Sequence, residues 1–209
     1  MDIQFKETIS TEEQLREVLG YPTELVTRKT IDHIDSICQS FIEESPFITI
    51  ATSNAVGQMD VSPKGDPPGF VKILNNKMLA IPDRPGNRKA DTFTNIIQNP
   101  NIGLIFLIPG IKETLRINGT AQIIRDESIL KKLECEGKPP TFAIIVHVKE
   151  AFMHCAKCMI RSKLWSTDSE PQERTIPTLA QTLVDHSQME MDIQELDEAI
   201  KNDEETNLY

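Results

Sequence analysis

Short runs of β-prone residues follow one another between residues 47 and 148, and proline, glycine or asparagine ends most of them. Only residues 90–98 and 128–135 between these runs have a helical pattern, so helices are too few to join the strands by parallel crossovers. The pattern therefore predicts a mainly β fold, an antiparallel β-barrel with flanking helices, rather than a doubly wound sheet. The predicted strands are residues 47–52, 59–62, 70–74, 78–81, 102–108, 114–124 and 141–148.

Helices are predicted on both sides of this β region. Thr11 and Gln14 have the spacing of a capping box, which opens a short helix. A second helix precedes the first strand, and its apolar face consists of Ile31, Ile34, Cys38, Phe41 and Ile42. Pro46 ends that helix.

The chain after the β region is polar and then helical. Residues 166–173 form a predicted linker, and a helical region begins at Pro177. One face of its last helix consists of Met189, Ile193, Leu196 and Ile200. We therefore expect three parts: an N-terminal helical extension (1–30), the β-barrel domain (31–166) and an acidic helical tail (167–209).

Charge is distributed unevenly along the chain. The formal net charge is −10, and residues 190–209 alone hold eight acidic residues and one lysine. An acidic chain argues against general binding to nucleic acids or anionic membranes. The sequence has no apolar run long enough to cross a membrane, no signal-peptide pattern at its start, and only four cysteines. We expect a cytoplasmic protein with reduced thiols.

Residues 81–89 reverse the overall sign of charge. This segment joins a predicted strand to a predicted helix and holds Arg84, Asn87, Arg88 and Lys89 together with two prolines and a glycine. Arginine binds phosphate oxygens bidentately, lysine acts as a point charge, and a helix N-terminus favours anions. The segment predicts an anion site, with phosphate as the favoured anion. A solvated basic turn is the alternative.

Two other segments carry polar groups that suit an anionic ligand. Ser62 ends the second predicted strand, and Lys64 and Asp66 lie in the loop predicted from Pro63 to residue 69. Residues 154–165 are predicted to be helical. The basic side chains of His154, Lys157 and Arg161 would lie on one face of this helix, and Trp165 follows Arg161 by four residues. Such a face would suit an anionic, aromatic ligand. The alternatives are a surface turn and an exposed basic helix.

Cys155 and Cys158 have the spacing of a metal-binding or redox pair. A zinc site would need about four ligands, so Cys38, Cys135 and His147 would have to converge on the pair. Two half-buried cysteines on a helix are the simpler interpretation. The sequence has no Gly-x-Ser-x-Gly, no P-loop, no His-Glu-x-x-His and no Gly-x-Gly-x-x-Gly motif.

Several segments together resemble a known family. They are residues 62–66, 82–90, 99–100, 102–106, 109–110, 114–119, 154–157 and 161–165. In type and order they are similar to segments of the pyridoxamine 5'-phosphate oxidase-like flavoproteins, and most closely to a subgroup of predicted flavin-nucleotide-binding proteins. The resemblance runs from about residue 30 to residue 166. The chain lacks the Arg-x-His segment that pyridoxamine phosphate oxidase carries near its end, which argues against a vitamin B6 substrate.

The resemblance implies a split β-barrel that forms a homodimer, with FMN in clefts at the dimer interface. It places Arg88 and Lys89 on the family's phosphate-binding Arg-Lys pair, with Arg84 and Asn87 as further donors. It also implies contacts to the rest of the flavin from Ser62, Lys64, Asp66, Val71, Pro82 and Asp83. Arg116 or Lys64 is the candidate for stabilising negative charge at the N1–C2=O edge of the flavin. The contribution expected from the second subunit comprises Lys157, Arg161, Ser162 and Trp165.

The function predicted from this resemblance is FMN-dependent oxidoreduction of an unknown small molecule, with a nicotinamide nucleotide as the candidate electron donor. No catalytic base is identified. One alternative is a flavin-binding or storage protein without turnover. Another is a haem-binding split barrel, in which His147 or His154 would be the ligand. A zinc-assisted interaction protein that uses Cys155 and Cys158 is the third.

Overall fold

A seven-stranded antiparallel sheet forms the centre of the protein. The computed structural model describes residues 3–166 and 176–209. The strands are β1 (Phe47–Ser53), β2 (Met59–Gly65), β3 (Lys72–Asn75), β4 (Met78–Pro82), β5 (Asn101–Leu107), β6 (Thr114–Ile124) and β7 (Ala143–His154). They lie in the order β2-β1-β5-β6-β7-β4-β3, and each pairing is antiparallel. The prediction of a mainly β, antiparallel fold is confirmed.

Eight helices flank the sheet in the described ranges. They are α1 (Glu12–Leu19), α2 (Glu24–Arg28), α3 (Ser36–Glu44), α4 (Asp91–Gln98), α5 (Glu127–Lys132), α6 (Lys157–Ser162), α7 (Leu179–Ser187) and α8 (Ile193–Thr206). As the capping box predicts, the Thr11 hydroxyl accepts the Gln14 amide at the start of α1. No helix in the described ranges combines the length and hydrophobicity needed to cross a bilayer.

The sheet curls so that its two ends approach each other. Strand β2 is the first strand of the sheet and β4 is the sixth, yet Lys64 on β2 pairs with Asp83 just after β4, and Asp66 pairs with Arg84. The inside of the curl is the main hydrophobic core, and strand alternation directs side chains into it. Its fully buried members include Ile48, Ile50, Leu79, Ile81, Phe106, Leu115 and Ile117. The result is a barrel-like domain, as predicted.

Two predicted element boundaries near the start of the domain are wrong. The helix expected to contain Ile31 and Ile34 is only Ser36–Glu44, because Asp35 caps it by accepting the Cys38 amide at 2.8 Å. Ile31 instead exchanges two backbone hydrogen bonds with Ala151. The loop expected to begin at Pro63 is also wrong, since Pro63 lies within β2. A proline is tolerated there because β2 is an edge strand.

The predicted helix 154–165 is shorter in the structure. Strand β7 continues to His154, which pairs with Thr114 on β6, and α6 occupies only Lys157–Ser162. Pairing along the whole of β6 therefore overrides the local helical pattern of this segment. Cys155 and Cys158 are both exposed, not half-buried as expected. The predicted linker lies outside the described residues from residue 167 onward, and the division of the chain into three parts stays a prediction.

Candidate functional site

A cavity of about 970 Å³ lies where strand β2 faces the segment between β4 and α4. Strand β2 presents alternate residues to it, Asp60, Ser62 and Lys64, because side chains two apart share a face. The segment after β4 forms the opposite wall. Its cavity-lining residues are Asp83, Arg84, Pro85, Gly86, Asn87, Arg88, Lys89, Ala90, Asp91, Thr92 and Phe93. The cation-rich segment singled out by the sequence therefore borders a cavity.

The backbone of this wall is held in an uncommon conformation. Arg88 and Ala90 have φ values of 61° and 60°, in the left-handed region, at a cost of roughly 1–3 kcal/mol each for non-glycine residues. Asn87 supports the turn, because its side-chain oxygen accepts the Lys89 amide at 3.0 Å. Such strain at a cavity is typical of ligand-binding segments.

The start of α4 is open to an anion. Its N-cap is Ala90, which forms no side-chain hydrogen bond to the helix. The amides of the first helical turn lack intrahelical partners, and Asp91, Thr92 and Phe93 of that turn line the cavity. An uncapped helix N-terminus favours negative charge.

Cations and carboxylates alternate along the cavity wall. Lys89 pairs with Asp91 at 2.5 Å between Nζ and Oδ2, and Lys64 pairs with Asp83 at 3.6 Å. Hydrogen bonding to Asp91 raises the pKa of Lys89 above its usual value. Within the described ranges no carboxylate pairs with Arg88, which is exposed. Arg88 is therefore the cation on this wall that is most available to a ligand.

Arg84 is already engaged within the protein. Its Nε donates to Asp66 Oδ2 at 2.6 Å, and one terminal nitrogen donates to the Leu133 carbonyl at 2.9 Å. The Asp66 side chain is 2% exposed and that of Arg84 is 16% exposed. This geometry gives Arg84 a structural role beside the cavity, since its Nε and one terminal nitrogen already donate to protein groups.

Asp83 is a half-buried carboxylate on the same wall. Burial raises its pKa, and the neighbouring charges of Lys64 and Arg84 oppose part of that rise. A carboxyl group with a raised pKa beside a lysine in a cavity is a candidate for holding or transferring a proton.

Asp60, Ser62 and Thr92 form a small hydrogen-bonded cluster on the β2 side of the cavity. The Thr92 hydroxyl donates to Asp60 Oδ2 at 2.6 Å and lies 3.0 Å from the Ser62 hydroxyl. Ser62 donates to the same Asp60 oxygen at 3.0 Å. Because Thr92 belongs to α4 and the other two belong to β2, the cluster ties the helix N-terminus to the sheet.

Aromatic rings form one side of the cavity. Phe93 and Phe142 pack with their ring centroids 5.9 Å apart, and both also line an apolar groove of about 630 Å³ next to the cavity. The Lys64 ammonium lies 5.9 Å from the Phe93 centroid. The site therefore combines a polar, cationic end with an aromatic side.

Most predicted site residues from residue 62 to residue 89 lie together. Ser62, Lys64, Asp83, Arg84, Asn87, Arg88 and Lys89 line the main cavity. Asp66 and Pro82 line a smaller cavity of about 350 Å³, which shares Ser62, Lys64, Arg84 and Asn87 with the first. Val71 lines neither cavity, because its side chain packs in the hydrophobic core at 2% exposure.

The remaining predicted residues lie elsewhere in the chain. Arg116 is paired with Phe152 near the start of β6, whereas the cavity-lining Phe142 lies just before the start of β7. About nine residues of β7 separate these positions, which corresponds to roughly 30 Å of strand. Lys157, Arg161, Ser162 and Trp165 follow the end of β7, and Trp165 donates to the Ile111 carbonyl at 2.8 Å. These residues and Arg116 do not contact the cavity of the same chain.

Basic and aromatic side chains gather around this second region. The centroid of the Phe152 ring lies 5.3 Å from the Lys29 ammonium, 5.5 Å from the Arg116 guanidinium carbon and 5.0 Å from the centroid of the His154 ring. Burial lowers the pKa of His154, and the charges of Arg116 and Lys29 lower it further. In the described ranges no group of three or more histidine, cysteine, aspartate or glutamate residues could hold a metal ion.

Several cavity residues were missed from the sequence. Asp60 could have been found, because it alternates with Ser62 and Lys64. Thr92 and Phe93 follow the cation-rich segment directly. By contrast, nothing in the sequence indicates that Asp203, Asn207 and Tyr209, which lie far along the chain, also line the cavity.

Comparisons with known proteins identify relatives of this chain. The family model described as pyridoxamine 5'-phosphate oxidase matches residues 34–155. No curated protein matches the chain. Similar solved structures include HupZ from Group A Streptococcus, with 22% identity, a TM-score of 0.49, and coverage of 57% of this chain and 93% of that one.

Two further solved structures are similar. One is a protein related to general stress protein 26, of the pyridoxine phosphate oxidase family, from Clostridium acetobutylicum, with 16% identity, 56% and 84% coverage and a TM-score of 0.40. The other is an FMN-binding protein from Syntrophomonas wolfei, with 9% identity, 68% and 96% coverage and a TM-score of 0.44.

Proposed function

This chain belongs to the pyridoxamine 5'-phosphate oxidase family, and from that premise we propose that it is a flavoprotein that binds FMN in the cavity beside α4. The main observation behind the proposal is that Arg88, Lys89 and the uncapped N-terminus of α4 lie together on one wall of the cavity. Phosphate is the ligand that this combination suits best, because it accepts several charge-assisted hydrogen bonds at once.

The residues of the cavity fit such a ligand in two respects. Arg88 has no carboxylate partner in the described ranges, so it can bind a phosphate without first breaking an ion pair. The aromatic side formed by Phe93 and Phe142 suits a planar ring system. Lys89 would have to exchange Asp91 for the phosphate, which makes Arg88 the larger contributor.

We propose oxidoreduction as the activity. Bound FMN would supply a reversible electron acceptor, and the protein would bind, orient and tune it. Lys64 and Asp83 are placed to assist, because Asp83 Oδ1 lies 3.6 Å from Lys64 Nζ on the cavity wall. The raised pKa of Asp83 allows its carboxyl group to hold a proton closer to neutral pH than an ordinary aspartate.

A homodimer is the second part of the proposal. Arg116 and the segment 157–165 are cationic but lie roughly 30 Å along β7 from the cavity of their own chain. A second copy of the chain would allow these residues to reach a cavity, as the resemblance to the family implies. The exposed positions of Arg116, Lys157 and Arg161 support this arrangement.

An absorption spectrum of the purified protein, followed by FMN titration and anaerobic addition of NADH and NADPH, tests the proposal. We expect a flavin spectrum, or saturable FMN binding by the colourless protein, and bleaching of the bound flavin by a nicotinamide donor. Binding without reduction by either donor would favour a flavin carrier over an oxidoreductase. The absence of any flavin binding would refute the proposal, and a Soret band would point to haem instead.

A further inference from the structure

The end of α8 and the residues after it lie on the wall of the candidate FMN cavity. Asp203, Asn207 and Tyr209 line the cavity together with the cation-rich segment, although more than a hundred residues separate the two parts of the chain. Asp203 also accepts a hydrogen bond from the Asn207 side chain at 2.8 Å. The sequence assigns no role to this contact.

Tyr209 is fastened to the barrel by three kinds of contact. Its ring faces the Arg84 guanidinium, with 5.5 Å between the guanidinium carbon and the ring centroid. Its main-chain carbonyl accepts a hydrogen bond from Lys138 Nζ at 2.9 Å. Hydrogen bonding of its hydroxyl to the side chains of Cys135 and Asp66 raises the pKa of Tyr209. Contacts to residues from three separate parts of the chain, at Asp66, Arg84 and residues 135–138, hold the segment in one place.

Helix α8, which leads into residues 203–209, is negatively charged, as a phosphate is. Residues 193–206 hold six acidic residues and one lysine, and the Asp203 carboxylate borders the cavity itself. A fixed negative charge beside a partly solvated cavity lowers its affinity for anions. Tyr209 acts in the same direction, because its ring occupies the space beside the Arg84 guanidinium, and both residues line the cavity.

We propose that residues 203–209 form an intrachain lid on the candidate FMN cavity, fastened by Tyr209 and made unfavourable to anions by Asp203. The proposal rests on the proposed FMN site. The closed lid weakens binding of phosphate-bearing ligands, and release of Tyr209 from Arg84 and Lys138 raises the affinity of the cavity for them. Loss of the lid therefore has a different effect from loss of Arg88, which lowers that affinity.

The affinities of FMN and riboflavin for the full chain test the lid. At low ionic strength, Asp203→Asn and Tyr209→Ala should each raise FMN affinity by about three- to tenfold. Riboflavin has no phosphate, so Asp203→Asn should leave its affinity within about twofold of the original. Glu205→Gln is the matched control, because it removes the same charge from an exposed α8 position that does not line the cavity. Its FMN affinity should stay within about twofold.

Hydrogen exchange provides a readout that needs no ligand. The amides of residues 203–209 should exchange more slowly in the unmodified chain than in Tyr209→Ala or Lys138→Ala, while the amides of β6 exchange equally in all three. Equal exchange at residues 203–209, or FMN affinities unchanged by Asp203→Asn and Tyr209→Ala, would overturn the lid. If neither FMN nor riboflavin binds to the unmodified chain or to any variant, the proposed function is refuted. The hydrogen-exchange rates of residues 203–209 then decide the lid proposal by themselves.

Discussion

The Arg84–Asp66 pair is expected to stabilise the fold more than it contributes to ligand binding. The Asp66 side chain is 2% exposed and that of Arg84 is 16% exposed, so neither charge can be hydrated freely if its partner is removed. Arg84→Ala deletes the 2.6 Å bond to Asp66 and the 2.9 Å bond to the Leu133 carbonyl. It leaves the buried Asp66 carboxylate without a cationic partner, with the Tyr209 hydroxyl as its remaining side-chain hydrogen bond.

The magnitude follows from this burial. Breaking a buried ion pair by removing one partner costs roughly 3–5 kcal/mol. The partial exposure of Arg84 places the present pair near the lower end, at about 3 kcal/mol. For a urea dependence of about 2–3 kcal/mol per molar, the unfolding midpoint should fall by roughly 1–1.5 M.

Urea unfolding followed by circular dichroism measures this effect, with Arg88→Ala as the matched control. Arg88 is exposed and has no ion-pair partner in the described ranges, so its loss should change the free energy of unfolding by less than about 0.5 kcal/mol. Replacing both partners, Arg84→Met with Asp66→Leu, should recover most of the lost stability. An unchanged midpoint in Arg84→Ala, accompanied by lost FMN affinity, would refute the structural role and restore Arg84 as a phosphate donor.

Two further predictions concern β6 and β7. Gly119→Ala should lower the free energy of unfolding by about 3 kcal/mol, because the new Cβ would lie 2.1 Å from the His147 carbonyl oxygen. Gly103→Ala is the control, since its Cβ would lie 3.4 Å from the Asn118 side-chain oxygen. It should cost clearly less in the same urea assay. Burial and the charges of Arg116 and Lys29 lower the pKa of His154 from 6.5. The unfolded chain therefore binds a proton at this residue more readily than the folded chain does. As a result, the free energy of unfolding should fall as the pH drops through 6.5. His154→Gln should flatten that fall and Arg116→Gln should reduce it, and a pH profile of the unfolding midpoint that neither variant changes would contradict the assignment.

The strands and the cation-rich wall of the cavity were accessible to sequence reasoning for local reasons. β-Branched and aromatic residues mark β1, and a nearly continuous apolar run marks β5; the inward side chains of both strands are buried. The cation-rich wall is one continuous segment, so its residues are close in space whatever the rest of the fold does. Asp60 and Phe93 were missed, although local signals for both exist: Asp60 alternates with Ser62 and Lys64, and Phe93 lies just after the cation-rich segment.

The features that sequence reasoning missed depend on long-range contacts. Ile31 pairs with Ala151, and the pairing of His154 with Thr114 extends β7, so both positions leave the helices that their local patterns favour. The engagement of Arg84 by Asp66 requires the curl of the sheet. The contact of Tyr209 with Arg84 joins segments more than a hundred residues apart, and no periodic pattern indicates such a pairing.

The affinity of FMN compared with that of riboflavin, in the unmodified chain and in Arg88→Ala with Lys89→Ala, tests the proposed phosphate site most directly. Each charge-assisted contact to phosphate contributes roughly 1.5–3 kcal/mol, so loss of the Arg88 contact alone should lower FMN affinity about tenfold or more. The double variant should lose at least as much. Its riboflavin affinity should stay within about twofold, since riboflavin makes no phosphate contact. Lys131→Ala with Lys132→Ala removes the same charge at exposed positions on α5 and should leave both affinities unchanged. Equal FMN affinity in the unmodified chain and the Arg88→Ala, Lys89→Ala variant would contradict the assignment of the phosphate site.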